Sequence, residues 1–233
     1  MANSFKNSNE NSDSQWISIS DLMSVLMMIF LFIAISYMMD VVKEKDKIKE
    51  IAVAYNNLQT KLYDDLKKEF NKDIINWNAE IDKQTLSVKF NAPEVLFNTG
   101  SSILKKDFKR ILDDFFPRYI KILTKEEYNN DIVEIRIEGH TSSEWKFNVS
   151  KDEAYFYNMN LSQDRTRKVL EYVLNNKKLN SKEWAKTKLT ANGLSSSKPI
   201  LKNGIEDKEK SRRVEFRVRT NAESRMVKIL TSN

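Results

Sequence analysis

The chain has 233 residues, 31% of them charged, a formal net charge of +6, one histidine and no cysteine. Without thiols there are no disulfide staples or thiolate metal sites, and a single histidine cannot assemble a typical zinc site or a Cys–His nucleophile. Basic residues alternate with acidic ones, without the clustering a nucleic-acid footprint requires, and the absence of a Gly-rich phosphate loop or hydrolase constellation argues against an enzyme.

Residues 1–15 are polar, rich in Ser and Asn, and read as a disordered leader. Residues 16–39 hold the one long apolar run. From Leu22 to Met39 eighteen residues carry no charge, and extending back to Ile17 across Asp21 makes twenty-three. At about 1.5 Å per residue that crosses a hydrocarbon core of about 30 Å. The run exceeds the usual signal-peptide core, only Lys6 precedes it as a cation, and no small-x-small cleavage site follows. It therefore reads as a retained single-pass anchor. Lysines 43, 45, 47 and 49 follow the span, and on their own place that side in the cytoplasm.

Asp21 lies at the mouth of this run. An ionisable group inside a span costs about 3 kcal/mol or more at the bilayer centre, and one retained there commonly handles ions. The competing reading is a helix cap, because Ser18-Ile19-Ser20-Asp21 fits the Ser-x-x-acid pattern and an acid in a first turn suits the helix dipole. The residues alone leave both open.

Residues 40–80 form a juxtamembrane linker helix. Ile48, Ile51, Tyr55, Leu58, Leu62, Leu66 and Phe70 make a seam at spacings of three and four. Such a seam either joins two copies in a coiled-coil neck or packs an amphipathic helix onto its own domain. All four glycines and all three prolines lie beyond residue 90, marking a globular domain over 81–222 and a tail over 223–233. Strands are predicted over 85–90, 133–138, 188–193 and 213–220, with helices over 105–124 and about 162–176. Strands interleaved with helices imply a mixed α/β sandwich with helices on one side of one sheet. His140 and Arg213 read as structural, with Arg212 and Arg213 holding the last strand by ion pairs.

Four blocks then stand in order: Val95-Leu96-Phe97-Asn98-Thr99-Gly100-Ser101, Ile137-Glu138-Gly139-His140-Thr141, Tyr157-Asn158-Met159-Asn160-Leu161-Ser162-Gln163-Asp164-Arg165, and Ser211-Arg212-Arg213-Val214-Glu215-Phe216. Together they resemble the OmpA C-terminal family of peptidoglycan-binding domains. The resemblance implies a βαβαβ-type sandwich whose groove holds a diaminopimelate stem peptide, through Tyr157, Asn158, Leu161, Arg165 and Thr141. Arg165 matches the family's ligand arginine, whose guanidinium can clamp a carboxylate by two parallel bonds. Leu161 and Ser162 are expected to open a helix, with Ser162 as cap and free N–H groups toward an anion. Where the family carries an aspartate for the ligand's ammonium, this chain has Ser142; Glu144 is the candidate substitute from the same loop.

Trp16, Ser20-Asp21-Leu22-Met23, the Met- and Phe-rich span, the juxtamembrane helix and the OmpA-like domain are together similar to the MotB family. That resemblance implies a homodimer in the inner membrane, N-terminus cytoplasmic and C-terminal domain periplasmic, the reverse of what the lysines suggest. It further implies that Asp21 relays a proton or sodium ion, helped by Ser20 and Ser24, inside a ring of partner subunits, and needs no cofactor beyond the transported ion. The segment Ile19-Ser20-Asp21-Leu22-Met23-Ser24 with Leu26-Met27-Met28-Ile29-Phe30-Leu31-Phe32-Ile33 resembles the B subunits of Zorya anti-phage defence systems, implying a ZorA-like pentamer as partner. A flagellar stator subunit and a passive wall anchor without ion transport are the alternatives.

Overall fold

A computed structural model describes residues 6–91, 93–146 and 148–221, and the chain divides between Ile51 and Ala52 into two units. The first helix, α1 (Lys6–Phe70), has no Gly or Pro to break its i→i−4 ladder. In its first unit it carries an 18-residue window of mean hydropathy 2.4 with no part buried in protein, long and apolar enough to cross a membrane. The expected disordered leader is corrected from Lys6 onward. Once a helix is nucleated, each added residue gains a bond, and 6–15 holds no Gly or Pro to break the ladder, although its Ser, Asn and Asp residues are weak helix formers. Residues 1–5 and the predicted tail over 223–233 lie outside the described residues. The capping reading of Asp21 also falls, since α1 begins well before it.

The second unit opens with the last turns of α1 and continues through β1 (Ala79–Asp82), β2 (Ser87–Phe90), α2 (Pro93–Leu96), α3 (Lys106–Leu123), α4 (Glu126–Asn129), β3 (Ile132–His140), α5 (Lys151–Leu174), α6 (Lys182–Lys188), β4 (Leu189–Gly193), β5 (Leu201–Lys202), β6 (Ile205–Glu206), α7 (Lys208–Ser211) and β7 (Arg213–Thr220). Five strands pair in the order β1-β2-β7-β3-β4, while β5 and β6 form a separate hairpin. Only β3 and β4 run parallel, registered Ile137 on Ala191 and Gly139 on Gly193, as expected for strands joined through a helix. Strand β7 lies antiparallel to both neighbours, Val88 and Ile137 each facing Phe216.

Period-two alternation gives this sheet two different faces. Val88, Phe90, Ile135, Ile137, Val214, Phe216 and Val218 face inward and are buried. Helix α3 supplies the opposing stripe, Phe108, Leu112, Phe115, Phe116 and Tyr119. At its centre Phe216 meets Phe115 at 5.2 Å and Phe90 at 6.0 Å between ring centroids, both edge-on. Leu62, Leu66 and Phe70 of α1 complete this core with no exposed surface. The lower half of the seam is therefore used within the chain and cannot serve a coiled coil. Arg118 fastens the junction, bonding Glu69 at 2.8 Å and Asp73 at 2.9 Å and standing 4.9 Å over the Phe70 ring.

The other sheet face is ionic. Glu134, Glu138 and His140 of β3 stand beside Arg219, Glu215 and Arg213 of β7. Arg213 bonds Glu215 at 2.6 Å, and Arg219 bonds Glu134 at 3.0 Å. Arg213 thus holds the strand as predicted, whereas Arg212 has another role.

Candidate functional site

Helix α5 positions the groove. Its start is set by a capping box: the Ser150 hydroxyl accepts from the Glu153 N–H, and the Glu153 carboxylate accepts from the Ser150 N–H. From that start Asn158, Leu161 and Arg165 fall three and four residues apart, on one helix face. This overturns the expected helix start at Leu161 and Ser162. Ser162 is buried mid-helix, its hydroxyl donating to Met159 O at 2.9 Å and accepting from Ser195 N–H at 3.1 Å. No open helix end faces an anion there.

Close approach of α5 to the sheet depends on two glycines. A Cβ at Gly139 would stand 2.7 Å from Thr166 Cγ2, and one at Gly193 2.4 Å from the Gln163 nitrogen. Beyond Gly139 the chain leaves β3, with Thr141 N–H donating to Ser195 O at 2.9 Å. The loop that follows is held by Asn158, whose buried amide donates to Ser142 O at 3.1 Å and to Glu144 O at 3.0 Å.

Together Thr141, Ser142, Glu144, Asn158, Leu161 and Arg165 line one groove of about 490 Å³, with Phe97, Lys146 and Arg212. Tyr157 is the predicted residue that does not line it. Its ring stacks on Trp145, centroids 5.2 Å apart and planes 26° apart, bracing the wall from outside. Arg165 donates from Nε to Ser101 O at 2.9 Å and from Nη2 to Asn98 O at 3.4 Å, its guanidinium 4.7 Å from the Phe97 ring centroid. No described carboxylate pairs with it within 4 Å. Burial, and then the charge of Arg212, pull its pKa down to about 10, and the side chain remains a half-buried cation at ordinary pH.

Glu144 lines the groove as expected of it, and it also has a partner within the domain. Its exposed carboxylate pairs with Lys208, whose bond holds the carboxyl below its ordinary range. Arg212 is the groove residue that the sequence pattern misplaced. Rather than pairing along the strand edge, it lines the groove, and its Nε is buried without a hydrogen-bond partner. It stands one residue before β7, where strand alternation no longer dictates a face. The groove can therefore receive an anion through Arg165, Arg212 and Lys146, while Thr141 Oγ1, buried and unbonded, adds a hydroxyl.

In the first unit, Ser20, Asp21 and Ser24 are exposed along α1, and Ser24 Oγ donates to Ser20 O at 2.8 Å. That bond satisfies the Ser24 proton within the helix. Elsewhere Glu138, His140 and Glu215 gather donor atoms within 4.8 Å. Burial opposes the Glu138 charge, but His140 and Arg217 outweigh it and hold that carboxyl low, while Arg213 bonds Glu215. With its carboxylates already compensated, this cluster offers a dication little to neutralise.

The OmpA family model matches residues 96–213, which hold the whole groove. Over 223 residues the chain is 54% identical to the Zorya protein ZorB of Escherichia coli (strain Crooks), covering 95% of this chain and 94% of that one. A second Zorya protein ZorB, from Escherichia coli O139:H28, is 25% identical over 215 residues, covering 91% and 83%. Among solved structures, a MotB-like protein from Desulfovibrio vulgaris is 21% identical, with 71% and 96% covered and a TM-score of 0.48. The cell wall anchor of the T6SS from Pseudomonas aeruginosa is 19% identical, with 66% and 96% covered and a TM-score of 0.45. By its OmpA match and its identity along nearly all its length, the chain belongs to the OmpA family and, within it, to the ZorB proteins.

Proposed function

We propose that this chain is the peptidoglycan-anchored, ion-conducting B subunit of a rotary motor in the inner membrane, working in anti-phage defence. It acts as a homodimer inside a ZorA-like pentamer, with the N-terminus cytoplasmic and the C-terminal domain periplasmic. One observation supports this above others: a single chain joins an apolar helix interrupted by one carboxylate, Asp21, to a cation-lined groove on an OmpA-family domain. A passive anchor needs the groove and has no use for the carboxylate.

The chemistry follows from the two units. The groove holds a carboxylate of the wall and fixes the protein as the stationary part. Asp21, drawn into lipid and ring, alternates between neutral and charged forms as ions pass, proton being the first choice and sodium the second. Each elementary charge crossing the membrane releases about 2.3 kcal/mol per 100 mV, which the cycle spends on turning the ring. Ser20 and Ser24 hand the ion on.

The test is Asp21→Asn in cells challenged with phage. Protection is expected to vanish while protein level and complex assembly stay intact. Full protection from that variant would refute ion transport and leave only a wall anchor.

A further inference from the structure

The charge inventory of the groove is lopsided. Arg165, Arg212 and Lys146 line it, and Glu144 is the one acid among its described lining residues. That acid is engaged by Lys208 from outside the groove. Arg165 spends its bonds on backbone carbonyls and no described carboxylate pairs with it, while Arg212 Nε is buried and unbonded. The Lys146 ammonium sits 3.3 Å from where a Cβ would stand at Gly100, so the glycine admits this third cation. Ser142, 3% exposed, contributes a carbonyl already taken by Asn158. Among the described lining residues one carboxylate, already shared with Lys208, therefore faces three cations, and that excess of positive charge repels an ammonium.

This bears on the ligand's chemical state and rests on the wall-binding reading above. The far stereocentre of diaminopimelate carries a carboxylate and an ammonium when the stem peptide is unlinked. At a cross-link that nitrogen becomes an amide, and the carboxylate charge alone remains. We propose that the groove selects the carboxylate of an acylated, cross-linked diaminopimelate over the same residue with a free amine. The motor is thereby tethered where the wall is already joined and bears load. Trp145, a lining residue, supplies an optical signal.

The test titrates the full-length protein in detergent with two muramyl tetrapeptides, one with the far amine free and one with it acetylated, following tryptophan fluorescence. The acetylated peptide is expected to bind about tenfold more tightly, by a margin that shrinks as salt rises. Ser142→Asp, which places an acid on the wall, is expected to abolish or reverse that preference. Should it fail to fold, the exposed Lys146→Ala serves instead and is expected to cut the preference several-fold. Equal affinities, or tighter binding of the free amine, would overturn the selection while leaving wall binding intact. Failure to bind either peptide or purified sacculi would overturn the wall-binding reading, and the selection with it.

Discussion

Asn158→Asp separates a positioning role from ligand contact with almost no change of shape. In the wild type one amide nitrogen donates to Ser142 O at 3.1 Å and Glu144 O at 3.0 Å. The substitution removes both bonds, at about 1 kcal/mol each, and turns an oxygen toward two carbonyl oxygens at a site 3% exposed. With that repulsion the loss comes to about 3 kcal/mol at neutral pH, which for a domain of this size lowers the melting temperature by about 6–12 °C. Burial raises the introduced carboxyl's folded pKa above the unfolded value of about 3.9. The penalty is therefore complete above the folded pKa and shrinks as pH falls through it, because the neutral acid donates one bond back. Asn158→Ala loses the same bonds without the repulsion or the pH dependence, costing about 2 kcal/mol. Ligand-free protein in detergent, melted by tryptophan fluorescence from neutral to acid pH, reads both effects. An Asn158→Asp protein melting within about 2 °C of wild type at neutral pH, or a gap unchanged by pH, would refute the reasoning.

Leu66→Ala is expected to cost about 2–5 kcal/mol, because the side chain has no exposed surface. Denaturant unfolding checks this, and loss of self-association at unchanged stability would return Leu66 to a coiled coil. Gly193→Ala drives a Cβ to 2.4 Å from the Gln163 nitrogen and must displace α5, costing about 1–3 kcal/mol and weakening retention on sacculi. Wild-type melting and retention together would show that the packing yields more easily than the geometry implies. The Lys125 hydrogen bond holds the Asp65 carboxyl below its ordinary 3.8, so this pair stabilises the fold above that pH and ceases to as pH falls through the lowered value. Asp65→Asn should therefore be less stable than wild type near neutrality and converge with it in strong acid. Parallel unfolding midpoints across that range would contradict this.

Legibility in the sequence tracked how locally each feature was encoded. Val133 to Glu138 and Arg213 to Thr220 alternate so regularly that β3 and β7 could be drawn from pattern alone. Helix α3 followed likewise from its apolar stripe. β1 escaped because Ala79-Glu80-Ile81-Asp82 is short and half-exposed, with little contrast between its faces. The start of α5 is written in Ser150 and Glu153, a capping box eleven residues upstream of Leu161, where the family motif suggests a helix start. In the groove, Arg165 and Asn158 were found through resemblance, but what each bonds depends on backbone carbonyls distant in sequence, from Asn98 to Glu144. Arg212 and Lys146 enter by tertiary placement that no periodicity records.

The burial of Leu62, Leu66 and Phe70 decides how little of this protein can be cut away. A fragment begun at β1 would lack three plugs of its own interior and expose the aromatic layer of Phe115 and Phe216 to water. The shortest version expected to remain soluble starts near Ala52, where the second unit begins. Within that unit, strain on the last turns of α1 passes straight to side chains locked into the domain's interior.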